Sequence, residues 1–305
     1  MRGRHLLSIT DISDEDMSVF VAAAAELKAR GRSSLLSGKV LVLLFEKPSL
    51  RTRVSFEVGM RHLGGECLYL SPAEVGLGQR ESVADVARVL GRYADAIAAR
   101  TFVHGTIEEL ARHSGVPVVN ALSDLEHPCQ ALADLLTVYE KKGRLQGVAL
   151  AFIGDGNNVA RSLLLASALG GMDFRIASPS GYALAEGILG TAREYAESSG
   201  ASILCTEEPS EAVRGADVVY TDVWTSMGQE AESQQREMAF SGYRVDTALM
   251  SLARDDAVFM HDLPAHRGEE VTDEVMDGPQ SVVFDQAENR MHVQNAVLVK
   301  LLGTA

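Results

Sequence analysis

The chain has 305 residues, of which 46% are hydrophobic and 23% charged, and its formal net charge at pH 7 is -14. That length reads as two domains of similar size, each able to bury its own core, and the apolar fraction excludes a disordered chain. The acidic balance argues against nucleic acid and anionic membranes as partners, so an anionic ligand must be drawn by a local group of arginines.

Three cysteines, Cys67, Cys129 and Cys205, stand without CxxC spacing. They predict neither a disulfide framework nor a zinc site, and they fit a reducing compartment. The opening run from Met1 to Leu7 reaches Asp11 too soon for a signal-peptide apolar region. No apolar run approaches the roughly 20 residues that cross a bilayer. The expected location is the cytoplasm.

In chain order, Ser13 is expected to cap a first helix whose early turn carries Asp14 to Asp16 and whose body runs to Arg30. Val40 to Phe45 reads as a buried strand, and Arg51 to Leu63 as a helix with Val54 and Val58 on one face. Cys67 to Leu70, Ala94 to Ala99 and Pro117 to Asn120 read as further strands. Ala131 to Lys142 places Leu132, Leu135, Leu136 and Tyr139 at helical spacing and ends at Gly143; the domain junction is expected along it. A second series of strands follows at Val148 to Ile153, Phe174 to Ala177, Ala216 to Thr221 and Val258 to His261. Val293 to Leu302 reads as a closing helix. The alternation predicts an α/β fold of two domains, each a mostly parallel sheet flanked by helices, with ligands beyond the C-terminal strand ends. The domains are expected at 1–140, joined by the helix 291–305, and at 141–290.

The strongest local signal is Phe45-Glu46-Lys47-Pro48-Ser49-Leu50-Arg51-Thr52-Arg53. A strand ends, a proline turns the chain, and a helix begins. Ser49, Arg51, Thr52 and Arg53 then gather at a helix N-terminus, where free N–H groups, hydroxyls and guanidiniums suit a phosphate. On chemistry alone, an N-capped helix with two solvated arginines is an equal reading. Pro48 to Arg53, followed by Val54-Ser55-Phe56-Glu57, resembles the signature of the aspartate/ornithine carbamoyltransferase family. The family form is Ser-Thr-Arg-Thr-Arg; here Leu50 replaces the first Thr, removing one hydroxyl and leaving the backbone N–H.

His127-Pro128-Cys129-Gln130 just before the junction helix also matches that family. The resemblance implies that His127 polarises the carbamoyl carbonyl and that Gln130 holds the carbamoyl nitrogen. It implies that Arg100 bridges phosphate and carbonyl oxygen, and that Arg290 lies near the carbamoyl end. Taken alone, Arg290 reads as a surface arginine before a helix. Gly154-Asp155-Gly156-Asn157-Asn158 stands where a dinucleotide fold carries its glycines. Val159 occupies the third glycine position and no acid follows the next strand, so that reading is weak.

By resemblance, Asn158, Asp222, Ser226 and Met227 hold ornithine, Asp222 taking the side-chain amine. The Ser226-Met227-Gly228 segment marks the ornithine branch, as do the flanks of His261-Asp262-Leu263-Pro264. That branch carries Cys where Asp262 stands. Asp222 and Asp262 together either raise the amine's pKa, or share a proton, or serve as a base. The branch's usual Gln in the loop 74–82 is replaced by Gly76, with Gln79 or Arg80 as substitutes; in the family this loop reaches the neighbouring subunit of a trimer.

The resemblance thus implies a homotrimer acting on carbamoyl phosphate and L-ornithine, giving L-citrulline, with no metal or organic cofactor. Arg100, His127 and Asp262 are the expected catalytic residues. Carbamoyl phosphate is expected to bind first, at Ser49, Leu50, Arg51, Thr52, Arg100, His127, Gln130, Leu263 and Arg290. Three alternatives stay open: transfer to another amine such as putrescine or an acylated ornithine, a non-catalytic ligand-binding relative, and, more weakly, a nucleotide-dependent dehydrogenase.

Overall fold

A computed structural model describes residues 3–78, 80–226 and 228–303, with position 230 described by its backbone alone. The expectations placed on Gln79 and Met227 lie outside the described residues. The chain divides into two compact units, Met1–Leu136 with Asn289–Ala305, and Thr137–Glu288.

The first unit carries β1 (Val40–Phe45), β2 (Glu66–Leu70), β3 (Ala96–Arg100) and β4 (Val118–Leu122) in the order β2-β1-β3-β4, all parallel. β1 and β3 are apolar runs buried on both faces, as a helix-covered parallel sheet requires. The chain leaves β1 toward β2 and later returns to the other side of β1 as β3. The strand order therefore reverses between β1 and β3, and their C-terminal ends, Phe45 and Arg100, face each other across the sheet. A register shift at Ala99/Arg100 re-aims the last residue of β3.

After β1 comes the helix Leu50–His62, capped by Ser49. It buries Thr52, Phe56, Gly59 and Met60, whereas Val54 is exposed, so the inward face is not the one carrying Val54. Gly59 lets the helix Val283–Leu302 approach closely: a Cβ there would lie 2.2 Å from Asn295 Oδ1, and that side chain would have to shift.

The second unit carries β5 (Ala149–Ile153), β6 (Asp173–Ala177), β7 (Ile203–Thr206), β8 (Val218–Thr221) and β9 (Val258–Met260) in the order β7-β6-β5-β8-β9, again all parallel. Here the order reverses between β5 and β8. Phe152 and Tyr220 stack across that pair with ring centroids 5.4 Å apart. Each sheet thus has one reversal point, the place where open α/β sheets leave a crevice for a ligand.

Three local expectations are corrected. β7 was not anticipated, because the edge strand Ile203–Thr206 is short and only partly buried and lacks the apolar run of its neighbours. The junction helix starts at Pro128, not Ala131, since proline is tolerated in a first helical turn. The closing helix starts at Val283, ten residues before Val293. Its early turns carry Asp285, Gln286, Asn289 and Arg290, all ahead of the expected helix start. In the fold Gln286 and Asn289 are fully buried and Arg290 is 5% exposed, so Arg290 is an interior helical residue.

Candidate active site

The reversal point of the first sheet gathers most of the residues expected to hold carbamoyl phosphate. Ser49, in extended backbone, accepts the Thr52 N–H at 3.3 Å and donates its hydroxyl to Thr52 Oγ1 at 2.9 Å. The N–H groups of Leu50 and Arg51 open the helix and have no intrahelical acceptor. The Leu50 side chain is 76% exposed, so what this position offers inward is backbone. Arg51 is half-buried and makes no hydrogen bond or ion pair with any described residue. Arg53, expected to share the phosphate, is turned away: its Nε donates to Glu57 at 2.7 Å and its guanidinium lies 3.9 Å from the Tyr69 ring centroid.

Thr52 is fully buried and accepts a hydrogen bond from Arg290 Nη2. The same Nη2 donates to His127 Nε2 at 3.0 Å. A guanidinium only donates, so Nε2 is the acceptor and the neutral ring carries its proton on Nδ1. His127 is 1% exposed, and burial, then Arg290, then Arg100, hold it well below the usual histidine value. It is a neutral imidazole beside two guanidiniums. Gln130 donates Nε2 to Asp134 Oδ1 at 2.8 Å, which orients its amide. Its buried Oε1 has no hydrogen-bond partner among the described residues and is left as an acceptor for an N–H donor.

The turn that delivers His127 is held by residues the sequence reading did not single out. Ser123 N–H donates to the Glu126 carbonyl at 3.0 Å, and Asn120 Nδ2 donates to that carbonyl at 3.4 Å. The Glu126 carboxylate accepts from Ser8 Oγ at 2.5 Å and from the Ile9 N–H at 3.0 Å. Ser8 and Ile9 lie more than a hundred residues from Glu126, so no local pattern announces those two contacts.

In the second unit, Asp222 follows β8 at the other reversal point and is 7% exposed. Its Oδ1 accepts the Val223 N–H at 2.7 Å, and its Oδ2 accepts from Asn157 Nδ2 at 2.7 Å. Asn157 also caps the helix Asn158–Leu169, accepting the N–H groups of Val159 and Ala160 at 3.0 Å each. Thus Asn157, which the sequence does not single out, touches Asp222; Asn158, expected to hold ornithine, is the first residue of that helix. Gly156 is pressed against the 183–184 backbone, where a Cβ would meet Leu184 N at 2.6 Å.

Asp262 hydrogen-bonds the Asp222 side chain. Burial first, and the Asp262 charge second, push the Asp222 carboxyl well above the usual carboxylate range. A buried acid and a half-buried one in hydrogen-bond contact share a proton more readily than they both ionise.

Behind them, His261 Nδ1 accepts the Leu263 N–H at 2.9 Å and its Nε2–H points at Glu270 Oε1, 3.1 Å away. The ring is therefore held as one tautomer. Leu263 adopts φ 60, a left-handed conformation that a non-glycine residue keeps only when its surroundings enforce it. Asp222, His261 and Asp262 are close enough to share a cation, as are His266, Glu269 and Glu270. In both groups a ligand is already committed: His261 Nδ1 to Leu263, and Glu270 to His261.

Ser226 lies half-buried in the turn after β8, and its N–H donates to Gln229 Oε1 at 3.0 Å. That turn is anchored by Arg236, 6% exposed, which binds Asp155 at 2.6 Å and the Trp224 carbonyl at 2.9 Å.

Comparison with known proteins gives the same picture over the whole chain. Residues 4–140 match the family model of the aspartate/ornithine carbamoyltransferase carbamoyl-P binding domain, and residues 146–301 that of the Asp/Orn binding domain. The chain is 53% identical over 306 residues to an ornithine carbamoyltransferase of Anoxybacillus flavithermus, covering 99% of this chain and 98% of that relative. It is 54% identical over 300 residues to the Bacillus subtilis ornithine carbamoyltransferase, covering 98% and 94%. Among solved structures, the ornithine carbamoyltransferase of Pyrococcus furiosus superposes with a TM-score of 0.97 at 49% identity, covering 100% of this chain and 98% of that one. That of Gloeobacter violaceus gives 0.91 at 47%, covering 99% of each chain. With both of its halves matched and its fold shared throughout, this chain belongs to the aspartate/ornithine carbamoyltransferase family.

Proposed function

We propose that the protein transfers the carbamoyl group of carbamoyl phosphate to the side-chain amine of L-ornithine, giving L-citrulline and phosphate. The observation that carries the reading is the hydrogen-bonded chain Ser49–Thr52–Arg290–His127, buried from Thr52 onward, at the reversal point of the first sheet. It joins a phosphate-binding helix start to a neutral imidazole through one guanidinium. The curated relatives that share this length of sequence bear the name of that activity.

In this reading the first unit holds carbamoyl phosphate. The helix N–H groups at Leu50 and Arg51, the hydroxyls of Ser49 and Thr52, and the Arg51 guanidinium take the phosphate. Arg100, His127 and Arg290 face the carbonyl oxygen. Gln130 Oε1 accepts from the carbamoyl NH2, the one donor group such a ligand owns. The second unit holds the amino acid, with Asp222 and Asp262 at the side-chain amine and with Asn158, Ser226 and Met227 nearer the amino and carboxylate groups. Leu263 contacts the carbamoyl group.

The neutral amine attacks the carbonyl carbon, and a C–N bond forms as the carbonyl oxygen becomes an oxyanion. Donors preorganised for that charge stabilise it without reorganising. The C–O bond to phosphate then breaks, the electron pair leaves with the phosphate, and the amine nitrogen loses its proton. The Asp222–Asp262 pair, when both carboxyls are ionised, is suited to take up the proton that the incoming ammonium must lose, because the two acids then share it.

We assign the enzyme to the cytoplasm, to arginine biosynthesis and to a homotrimer. A relative named as an anabolic ornithine carbamoyltransferase, 50% identical over 307 residues, supports the pathway. Light scattering on the purified protein tests the trimer.

A colorimetric assay of citrulline formation, with putrescine, lysine and aspartate run beside ornithine, tests the acceptor. Ornithine is expected to be the best acceptor by kcat/KM. Aspartate as best acceptor defeats the branch assignment. Carbamoyl phosphate binding with no product from any acceptor would mark a non-catalytic relative.

A further inference from the structure

The carboxyls of Asp222 and Asp262 sit on the loops leaving two neighbouring strands, and something must set their separation. β8 and β9 pair only as far as the rung Tyr220↔Met260. Beyond it the ladder stops, one residue before His261 and two before Asp222 and Asp262. The backbone that carries the acid pair is thus outside the sheet's own hydrogen bonding.

Gln286 spans that gap. It lies in the first turn of the helix Val283–Leu302 and is fully buried, as are Tyr220 and His261. Its Oε1 accepts the His261 N–H at 2.9 Å, and its Nε2 donates to Tyr220 Oη at 3.1 Å. A backbone N–H can only donate, so the amide orientation is fixed: oxygen toward β9, nitrogen toward β8.

Both ends of this link are themselves anchored. Tyr220 stacks on Phe152 of β5, with an interplanar angle of 19°. The helix start is tied to β9 by Phe259 N–H to the Gln280 carbonyl at 2.8 Å and by Val282 N–H to the Phe259 carbonyl at 3.0 Å. On the far side, the His261 ring is held by Glu270 and caps the Leu263 N–H. One side chain therefore references the end of β9 to the sheet's middle strands where main-chain pairing has run out.

We propose that Gln286 is a positioning residue that sets the separation of Asp222 and Asp262 and through it the enzyme's grip on the acceptor amine. Gln286 touches neither substrate in this reading, and it acts through the backbone of His261. The proposal rests on the ornithine-transfer reading above.

The test is steady-state citrulline formation by the full chain, comparing wild type with Gln286→Leu, Gln286→Glu and Tyr220→Phe over a range of pH. Leucine keeps the volume and loses both hydrogen bonds. KM for ornithine is expected to rise about tenfold or more, while KM for carbamoyl phosphate stays within about twofold. The limb of kcat/KM for ornithine governed by the acid pair is expected to move as well.

Gln286→Glu, whose protonated acid keeps one acceptor and one donor in the same places, is expected to restore KM to within about threefold of wild type. Tyr220→Phe cuts only the bond to β8 and gives an intermediate rise; it carries the test if Gln286→Leu does not fold. An unchanged KM for ornithine, an equal rise for both substrates, or no rescue by glutamate overturns the proposal. Wild type that makes no citrulline overturns instead the reading on which it rests.

Discussion

Arg290 donates to His127 Nε2 at 3.0 Å although the two residues stand 163 positions apart. The arginine comes from the closing helix and the histidine from the turn before the helix Pro128–Lys142. Their contact fixes the imidazole's proton on Nδ1 and, with burial and Arg100, keeps the ring neutral. A neutral ring keeps an N–H to donate and adds no charge to a place already rich in guanidinium.

This makes His127 a pH liability for stability. Its folded value lies below the unfolded one, so the unfolded chain takes up a proton first as pH falls. Stability is then lost below about pH 6.5, by up to about 1.4 kcal/mol per pH unit from this group. In His127→Gln the difference in melting temperature between pH 7.5 and pH 5.5 should shrink. The same variant should lose about 10²- to 10³-fold in kcat by the citrulline assay. An unchanged acid slope would show that His127 takes up its proton without unfolding.

Asp222 has the opposite sign. Its folded value is raised, so the neutral form is favoured in the fold, and its contribution to stability is lost as pH rises from about 3.9 through the folded value. Asp222→Asn should therefore melt no lower than wild type at pH 8 while losing ornithine transfer. Calorimetry and the activity assay on the same sample read both effects.

Asp262 is the second cause of the Asp222 shift, after burial. Removing its charge in Asp262→Asn should move the Asp222-governed limb of kcat/KM for ornithine to lower pH, leaving KM for carbamoyl phosphate unchanged. A limb that stays in place would mean that burial alone sets the Asp222 carboxyl.

Leu50 occupies a position where only backbone faces the helix-start site. Leu50→Thr should leave stability within about 0.5 kcal/mol, because the side chain is 76% exposed. Because the side chain here points away from the site, the added hydroxyl gains no bond to the phosphate, and KM for carbamoyl phosphate should stay within about twofold. Initial-rate measurements at saturating ornithine check this.

Gly156 cannot accept a side chain without moving the loop that carries Asn157. A Cβ there would meet the Leu184 backbone nitrogen at 2.6 Å. Gly156→Ala should cost about 1–3 kcal/mol in urea unfolding and should raise KM for ornithine more than KM for carbamoyl phosphate.

By itself the sequence determined the alternation of strand and helix, the helix start after β1 and the candidates for the site. Those signals are local: an apolar run of four to six residues, a proline turn, a hydroxyl at a helix cap. Ser49, Arg51 and Thr52 stood out because the chemistry they offer is contiguous in the chain. The tertiary structure alone decided which side chains face which. Arg53 has the same charge as Arg51 but turns onto Glu57 and Tyr69. Arg290 read as a surface arginine before a helix and Gln286 drew no reading, yet both are buried helical residues, because their partners, Thr52, His127, Tyr220 and His261, arrive from distant strands and turns. A buried polar group is stable only when its partner is present, and that partner is supplied by the fold and not by neighbouring residues in the chain.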